Sequence, residues 1–194
     1  MIKKIGFAIT GSFCTHEKIL VEIQKLKDKG YDILPIISET VAVTSTRFGS
    51  HEWFVSQLES ITGHPVIDSK VKAEVVGPQN MIDILVIAPC TGNTLSKLAN
   101  AVTDTSVTMV AKSHVRNNKP VVIGVSTNDA LGLNMCNLAK LLSAKNYYFV
   151  PFGQDSPSKK PKSLIADFTK IEETILEAEQ GRQIQPLLIK ENYV

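Results

Sequence analysis

Apolar residues in this chain come in short unbroken runs separated by amphipathic stretches. The runs are Lys4–Thr10, Tyr31–Ser38, Ile82–Pro89, Pro120–Ser126 and Tyr147–Val150. Between the first two, Ile19, Leu20, Ile23 and Leu26 recur at helical spacing within Thr15–Lys29, and Gly30 supplies the stop. Trp53, Phe54, Leu58 and Ile61 mark a second helix on a packing face that ends at Gly63. Further helices are expected after Pro89 to about Asn100, over Ser106–Asn117, over Leu138–Ala144 and over Ile165–Glu179. Pro35 interrupts the second run and weakens its centre as a strand. "GQDSPSKKPKS", Gly153–Ser163, is the one long irregular stretch.

Strands that alternate hydrophobic and polar residues face water on one side. These runs do not alternate, so both faces should be covered. Strand and helix take turns along the chain. That order predicts an α/β fold, a three-layer doubly wound parallel sheet of the Rossmann-like or flavodoxin-like kind. No repeat or linker divides the sequence. A single domain over 1–194 is expected, with a C-terminal helix and tail from about residue 164.

Composition narrows the function. With 194 residues and 43% hydrophobic content, the chain can bury a proper core. No apolar run approaches the ~20 residues of a membrane span. The start, "MIKKIGFAIT", reads as a first buried strand rather than a leader, so a cytoplasmic protein is expected. Lys and Arg total 21 against 19 Asp and Glu, a net charge of +2. No basic stripe carries interleaved aromatics, which argues against nucleic acid. Cys14, Cys90 and Cys136 are widely spaced, as are the four histidines, so neither a disulfide framework nor a metal site is expected.

In open α/β sheets, ligands bind beyond the carboxyl ends of the strands. Those ends read "TGSFCT", "SETVAVTSTRFGSHE", "PCTGNT" and "STNDALGLN". All four are rich in hydroxyls, amides and glycine, the composition of a phosphate cradle at helix N-termini. Gly11 and Gly92 would let backbone approach a phosphate. Thr10, Ser12, Thr91 and Thr94 could donate to its oxygens, with Pro89, Asn93, Ser38, Ser126 and Asn128 at the same strand ends. Ordinary helix N-capping explains any one loop equally well. Neither G-x-G-x-x-G nor G-x-x-x-x-G-K-[ST] is present, so a mononucleotide suits the loops better than a dinucleotide. Arg47 could hold a carboxylate through its guanidinium fork, or equally be an exposed loop residue. Asp129 is a candidate substrate contact, and Asp129 or Glu74 could serve as a base if burial raised its pKa. Lys159, Lys160 and Lys162 are either a solvated loop or a flap that attracts an anion.

"GFAITGSFCT", a strand ending at Ser38, and "APCTGNTLSKLANAVTDTSV" together resemble the homo-oligomeric flavin-containing cysteine decarboxylases. The counterparts of that family's motifs are Thr10–Ser12, Pro89–Thr94, Lys97–Asn100 and Asp104. The resemblance implies FMN, with Gly11 and Ser12 at its phosphate, Ser38 close by, and Thr91, Asn93 and Thr94 along the flavin. It also implies a homo-oligomer, a trimer or a multiple of trimers. The histidine those decarboxylases carry before the third strand has no counterpart in Lys72–Val86. Their P-x-M-N-x-x-M-W is replaced by "VSTNDALGLNM".

"STNDALGLN", "YYFVPFGQDSPSKKPKSLIADF" and "TSTRFG" resemble one branch of the same family, found in endospore-forming bacteria. There the chain is one component of a two-component oxidoreductase, and its partner binds the nicotinamide cofactor NAD(P). The implied substrate is a small heterocyclic dicarboxylate, and the implied place is the mother-cell cytoplasm. An FMN-dependent decarboxylase and a non-catalytic nucleotide-binding component stand as the alternatives.

Overall fold

The fold was obtained as a computed structural model and is described for residues 3–189. Five parallel strands form the core of one sheet: β1 (Lys4–Ile9), β2 (Asp32–Ile37), β3 (Ile84–Cys90), β4 (Val121–Thr127) and β5 (Tyr147–Phe149). Every residue of β3 is buried, as its unbroken apolar run requires. The path is β2-β1-β3-β4, so the strand order reverses between β1 and β3. A ligand crevice belongs at that reversal.

Helices cover both faces. On one lie α1 (His16–Asp28), α3 (His51–Thr62) and α8 (Ile171–Glu179). On the other lie α4 (Lys70–Ala73), α5 (Gly92–Ala99), α6 (Ser106–Arg116) and α7 (Met135–Leu142). The short α2 (Glu39–Val43) follows β2 directly. Gly63 takes a left-handed φ of 74° and ends α3 as the sequence suggests. Trp53 departs from the expected packing face. It is 44% exposed, while Phe54 and Leu58 are buried.

Pro35 is tolerated because β2 is an edge strand. The Pro35 carbonyl accepts from Ile67 N–H at 2.9 Å, and Ile37 N–H donates to Ile67 O at 2.8 Å. The missing N–H of Pro35 therefore faces the outer edge, away from β1.

The sheet is not wholly parallel. The stretch expected to be irregular forms an antiparallel hairpin, β6 (Phe152–Ser156) and β7 (Lys160–Ala166). β7 docks on the end of β4, where Ser126 and Thr127 pair with Ile165 and Leu164. β5 pairs with the other end of β4, from Val121 to Ile123. The last helix accordingly begins at Ile171 rather than Ile165, because residues up to Ala166 belong to β7. Asp167 caps the short turn before it by accepting Thr169 N–H at 3.1 Å. The expected C-terminal tail pairs with β6: Phe152 N–H donates to Leu187 O, and Ile189 N–H to Phe152 O, covering the free edge of β6. Residues 1–2 and 190–194 of the expected domain lie outside the described residues.

Candidate functional site

The ends of β1, β3 and β4, the loop between α2 and α3, and the hairpin enclose a cavity of about 600 Å³. That size is usual for a small-molecule or cofactor site. Gly11, Ser12, Arg47, Thr91, Ser126, Asn128 and Asp129 of the expected residues lie on its wall.

The floor is a set of hydroxyls. Thr10 is 1% exposed. Its Oγ1 donates to Pro89 O at 2.7 Å and accepts Thr91 N–H at 3.0 Å, which ties the end of β1 to the end of β3. Thr91 caps α5 by accepting Thr94 N–H at 3.4 Å. Thr10, Pro89 and Thr94 thus brace the floor from behind. Ser12 Oγ and Ser126 Oγ lie 2.8 Å apart, a bridge from the β1 loop to β4 that crosses the end of β3. Ser38 lies off the cavity wall; its N–H donates to Ile9 O at 3.0 Å, and its buried hydroxyl has no partner among the described residues. Asn93 sits exposed in the first turn of α5, off the cavity wall.

The two candidate glycines differ. A Cβ on Gly11 would meet only the Phe13 ring at 3.5 Å and Thr40 at 3.8 Å, ordinary contact distances. A Cβ on Gly92 would stand 2.6 Å from Thr127 Oγ1, 2.7 Å from Asn134 Nδ2 and 2.8 Å from Asp129 Oδ1. The protein's own side chains occupy the place a Gly92 Cβ would take.

Three cations line the cavity: Lys18, Arg47 and Lys160. Lys160 is engaged with Asp155, Nζ to Oδ2 at 2.6 Å, and that contact raises its pKa. Lys18 and Arg47 have no carboxylate within ion-pair distance among the described residues. The Arg47 guanidinium lies over the Phe48 ring, 4.8 Å from its centre. Opposite them, Asp129 accepts Thr127 Oγ1–H at 2.6 Å and Asn134 Nδ2–H at 2.7 Å. Of the three lysines considered in the hairpin, only Lys160 reaches the wall. Lys18 escapes a reading of the sequence because it lies on the polar side of an amphipathic helix, where a solvated lysine is usual. Asp155 escapes because it sits in a stretch that reads as loop.

Cys90 is fully buried and burial pushes its thiol up, so it stays protonated and unreactive. Cys14 and Cys136 are exposed. Iodoacetamide added to the folded protein should therefore alkylate Cys14 and Cys136 and spare Cys90, as read by peptide mass spectrometry. Rapid labelling of Cys90 would contradict the packing of β3. No group of three potential ligands able to hold a metal ion occurs among the described residues. No described helix is long and apolar enough to cross a membrane.

The Flavoprotein family model matches residues 1–178. The chain belongs to the flavoprotein family. It is 51% identical over 191 residues to the B subunit of dipicolinate synthase from Bacillus subtilis (strain 168), covering 98% of this chain and 95% of that one. The crystal structure of the B subunit of dipicolinate synthase from Bacillus halodurans superposes with a TM-score of 0.90 at 48% identity, covering 98% and 97% of the two chains. The FMN-dependent cysteine decarboxylase SpaF shares the fold, with a TM-score of 0.67 at 19% identity over 91% of this chain and 97% of that one. The α/β architecture read from the apolar runs is thus that of the flavoprotein family.

Proposed function

We propose that this chain is the flavoprotein-type component of dipicolinate synthase, oxidising dihydrodipicolinate to dipicolinate together with the A subunit of that enzyme. The near full-length similarity to the Bacillus subtilis B subunit carries this reading. The A subunit supplies the oxidised nicotinamide cofactor, NAD(P), and the complex works in the mother-cell cytoplasm of a sporulating bacterium. The chain acts as a homo-oligomer, a trimer or a multiple of trimers.

The cavity chemistry suits such a substrate. A pyridine dicarboxylate carries two anionic groups on one ring. Lys18 and Arg47 approach the cavity from different elements with their charges uncommitted, so each can take one carboxylate. Product formation from dihydrodipicolinate, the A subunit and a nicotinamide cofactor should rise sharply when this chain is added. An unchanged rate would sink the proposal.

FMN fits the residues present. The Ser12–Ser126 hydroxyl pair and the Gly11 backbone share one stretch of the cavity wall, a donor set that suits a phosphate. Bound there, the flavin would offer a two-electron acceptor next to the dicarboxylate. Purified protein should take up FMN and show a flavin absorption spectrum. No uptake would leave the cavity to the dicarboxylate and the partner's nicotinamide.

A further inference from the structure

The Asp129 carboxylate is the end point of a directed chain of side chains. Lys140 Nζ donates to Asn100 Oδ1 at 3.0 Å. Asn100 Nδ2 donates to Asn137 Oδ1 at 3.2 Å, and Asn137 Nδ2 to Asn134 Oδ1 at 2.9 Å. Asn134 Nδ2 then donates to Asp129 Oδ2 at 2.7 Å. Every donor in the series points the same way, from an ammonium on the surface of α7 to a carboxylate on the cavity wall. Aligned hydrogen bonds polarise one another, so the chain orients the carboxylate at its end. Asn134 and Asn137 are each 9% exposed, which limits competition from water. Thr127 takes the other carboxylate oxygen, and Gly92 leaves room for the whole group. Asp129 is thereby held through both carboxylate oxygens, and it is exposed on the cavity wall.

We propose that Asp129 accepts the proton released in the oxidation, and that Asn134 is the positioning residue that holds it there. The proposal rests on the oxidoreductase reading above. In the step, one ring C–H bond breaks with its electron pair, and the hydride passes to the oxidised nicotinamide. A second bond to a ring hydrogen breaks, its electron pair stays in the ring, and the proton goes to Asp129. The dihydro ring becomes a pyridine, the nicotinamide becomes reduced, and one proton is left over. A carboxylate suffices as acceptor because the ring gains aromaticity as the proton leaves. Lys18 and Arg47 hold the substrate's charges away from Asp129, which would otherwise repel them.

The test uses the full chain with the A subunit, dihydrodipicolinate and the nicotinamide cofactor. Asp129→Asn keeps the shape and removes the charge; its amide oxygen can still accept from Asn134, while its NH2 must donate to a reversed Thr127 hydroxyl. It should lower kcat about 100-fold. Dipicolinate binding measured by calorimetry should change less than about threefold. Asn134→Ala should lower kcat about tenfold, and the double variant should be no slower than Asp129→Asn alone, because Asn134 acts through Asp129. Thermal melts confirm that each variant is folded. Asp129→Asn with kcat intact overturns the proposal, as does a double variant whose losses multiply, which would make Asn134 a packing residue. A wild-type chain that does not accelerate the reaction overturns the oxidoreductase reading itself, and this assignment with it.

Discussion

Replacing Gly92 with valine is expected to lower stability by about 3 kcal/mol and to remove most of the activity of the complex. Gly92 opens α5, where any Cβ would fall within 2.8 Å of Thr127, Asn134 and Asp129. Asn134 Nδ2 and Asp129 Oδ1 are side-chain ends, but hydrogen bonds tie them in place. Thr127 and Asn134 both donate to Asp129, so moving one disturbs the other two. A residue other than glycine would regain at most about 1 kcal/mol of helix propensity, and less in the first turn. The overlap therefore wins. Gly11→Ala is the control: its Cβ meets the protein only at ordinary contact distance, so stability should be unchanged. Urea unfolding monitored by circular dichroism decides between them. A Gly92→Val protein as stable as the parent would mean that the loop after β4 gives way, and the fixed geometry of Asp129 would be lost as an explanation.

The contrast between these two glycines shows where a sequence stops informing. Both follow a strand and precede small polar residues, so both look like phosphate contacts. Only the packing of Thr127, Asp129 and Asn134 on Gly92 distinguishes them, and those side chains arrive from far along the chain. The strands of the core were legible because burial on both faces forces continuous apolar runs, as in β3. The hairpin was not. Its β6 residues 154–156 are half-buried and polar, and β7 begins with three exposed residues. Pro157 and Ser158 mark a turn, but the flanking residues carry no period of two. The apolar positions Ile165, Phe168, Ile171 and Ile175 happen to fit helical spacing across the junction, which drew the last helix too far forward. Asp167, a capping residue two positions before Thr169, was the local signal for the later start. In the site, the hydroxyl loops could be located from the sequence. The sharing of protons among them could not, since Thr10 spends its hydroxyl on Pro89, 79 positions away. The asparagine chain spans Asn100 to Asp129 and has no signature along the sequence at all.

Acidification from about pH 7.5 to about pH 4.5 is expected to remove about 2.5 kcal/mol of stability through His114 alone. His114 is 4% exposed on α6, and its Nε2 has no partner among the described residues. Burial, helped by the charge of Lys119, pushes its pKa down to about 4, while the backbone and carboxylate of Asp83 pull weakly the other way. The folded protein thus binds the proton only near pH 4, whereas the unfolded chain binds it near the ordinary value of about 6.5. Between those values the unfolded chain holds more protons, so each fall in pH favours unfolding. The contribution is complete above about pH 6.5, declines through the window, and levels off below about pH 4. Buried His16, also shifted down by burial against a hydrogen bond with the Thr10 carbonyl, adds a loss of the same sign. His114→Gln can still donate to Asp83 but does not titrate. Its stability should fall less steeply than that of the parent over the same range, by about 2.5 kcal/mol in urea unfolding. Parallel declines would rule His114 out as the acid-sensitive group. His114 packs beside Asp83, before the start of β3, and the cavity lies beyond that strand's other end. Activity lost through His114 in acid should therefore follow the unfolded fraction, and molecules that remain folded should keep their dicarboxylate affinity.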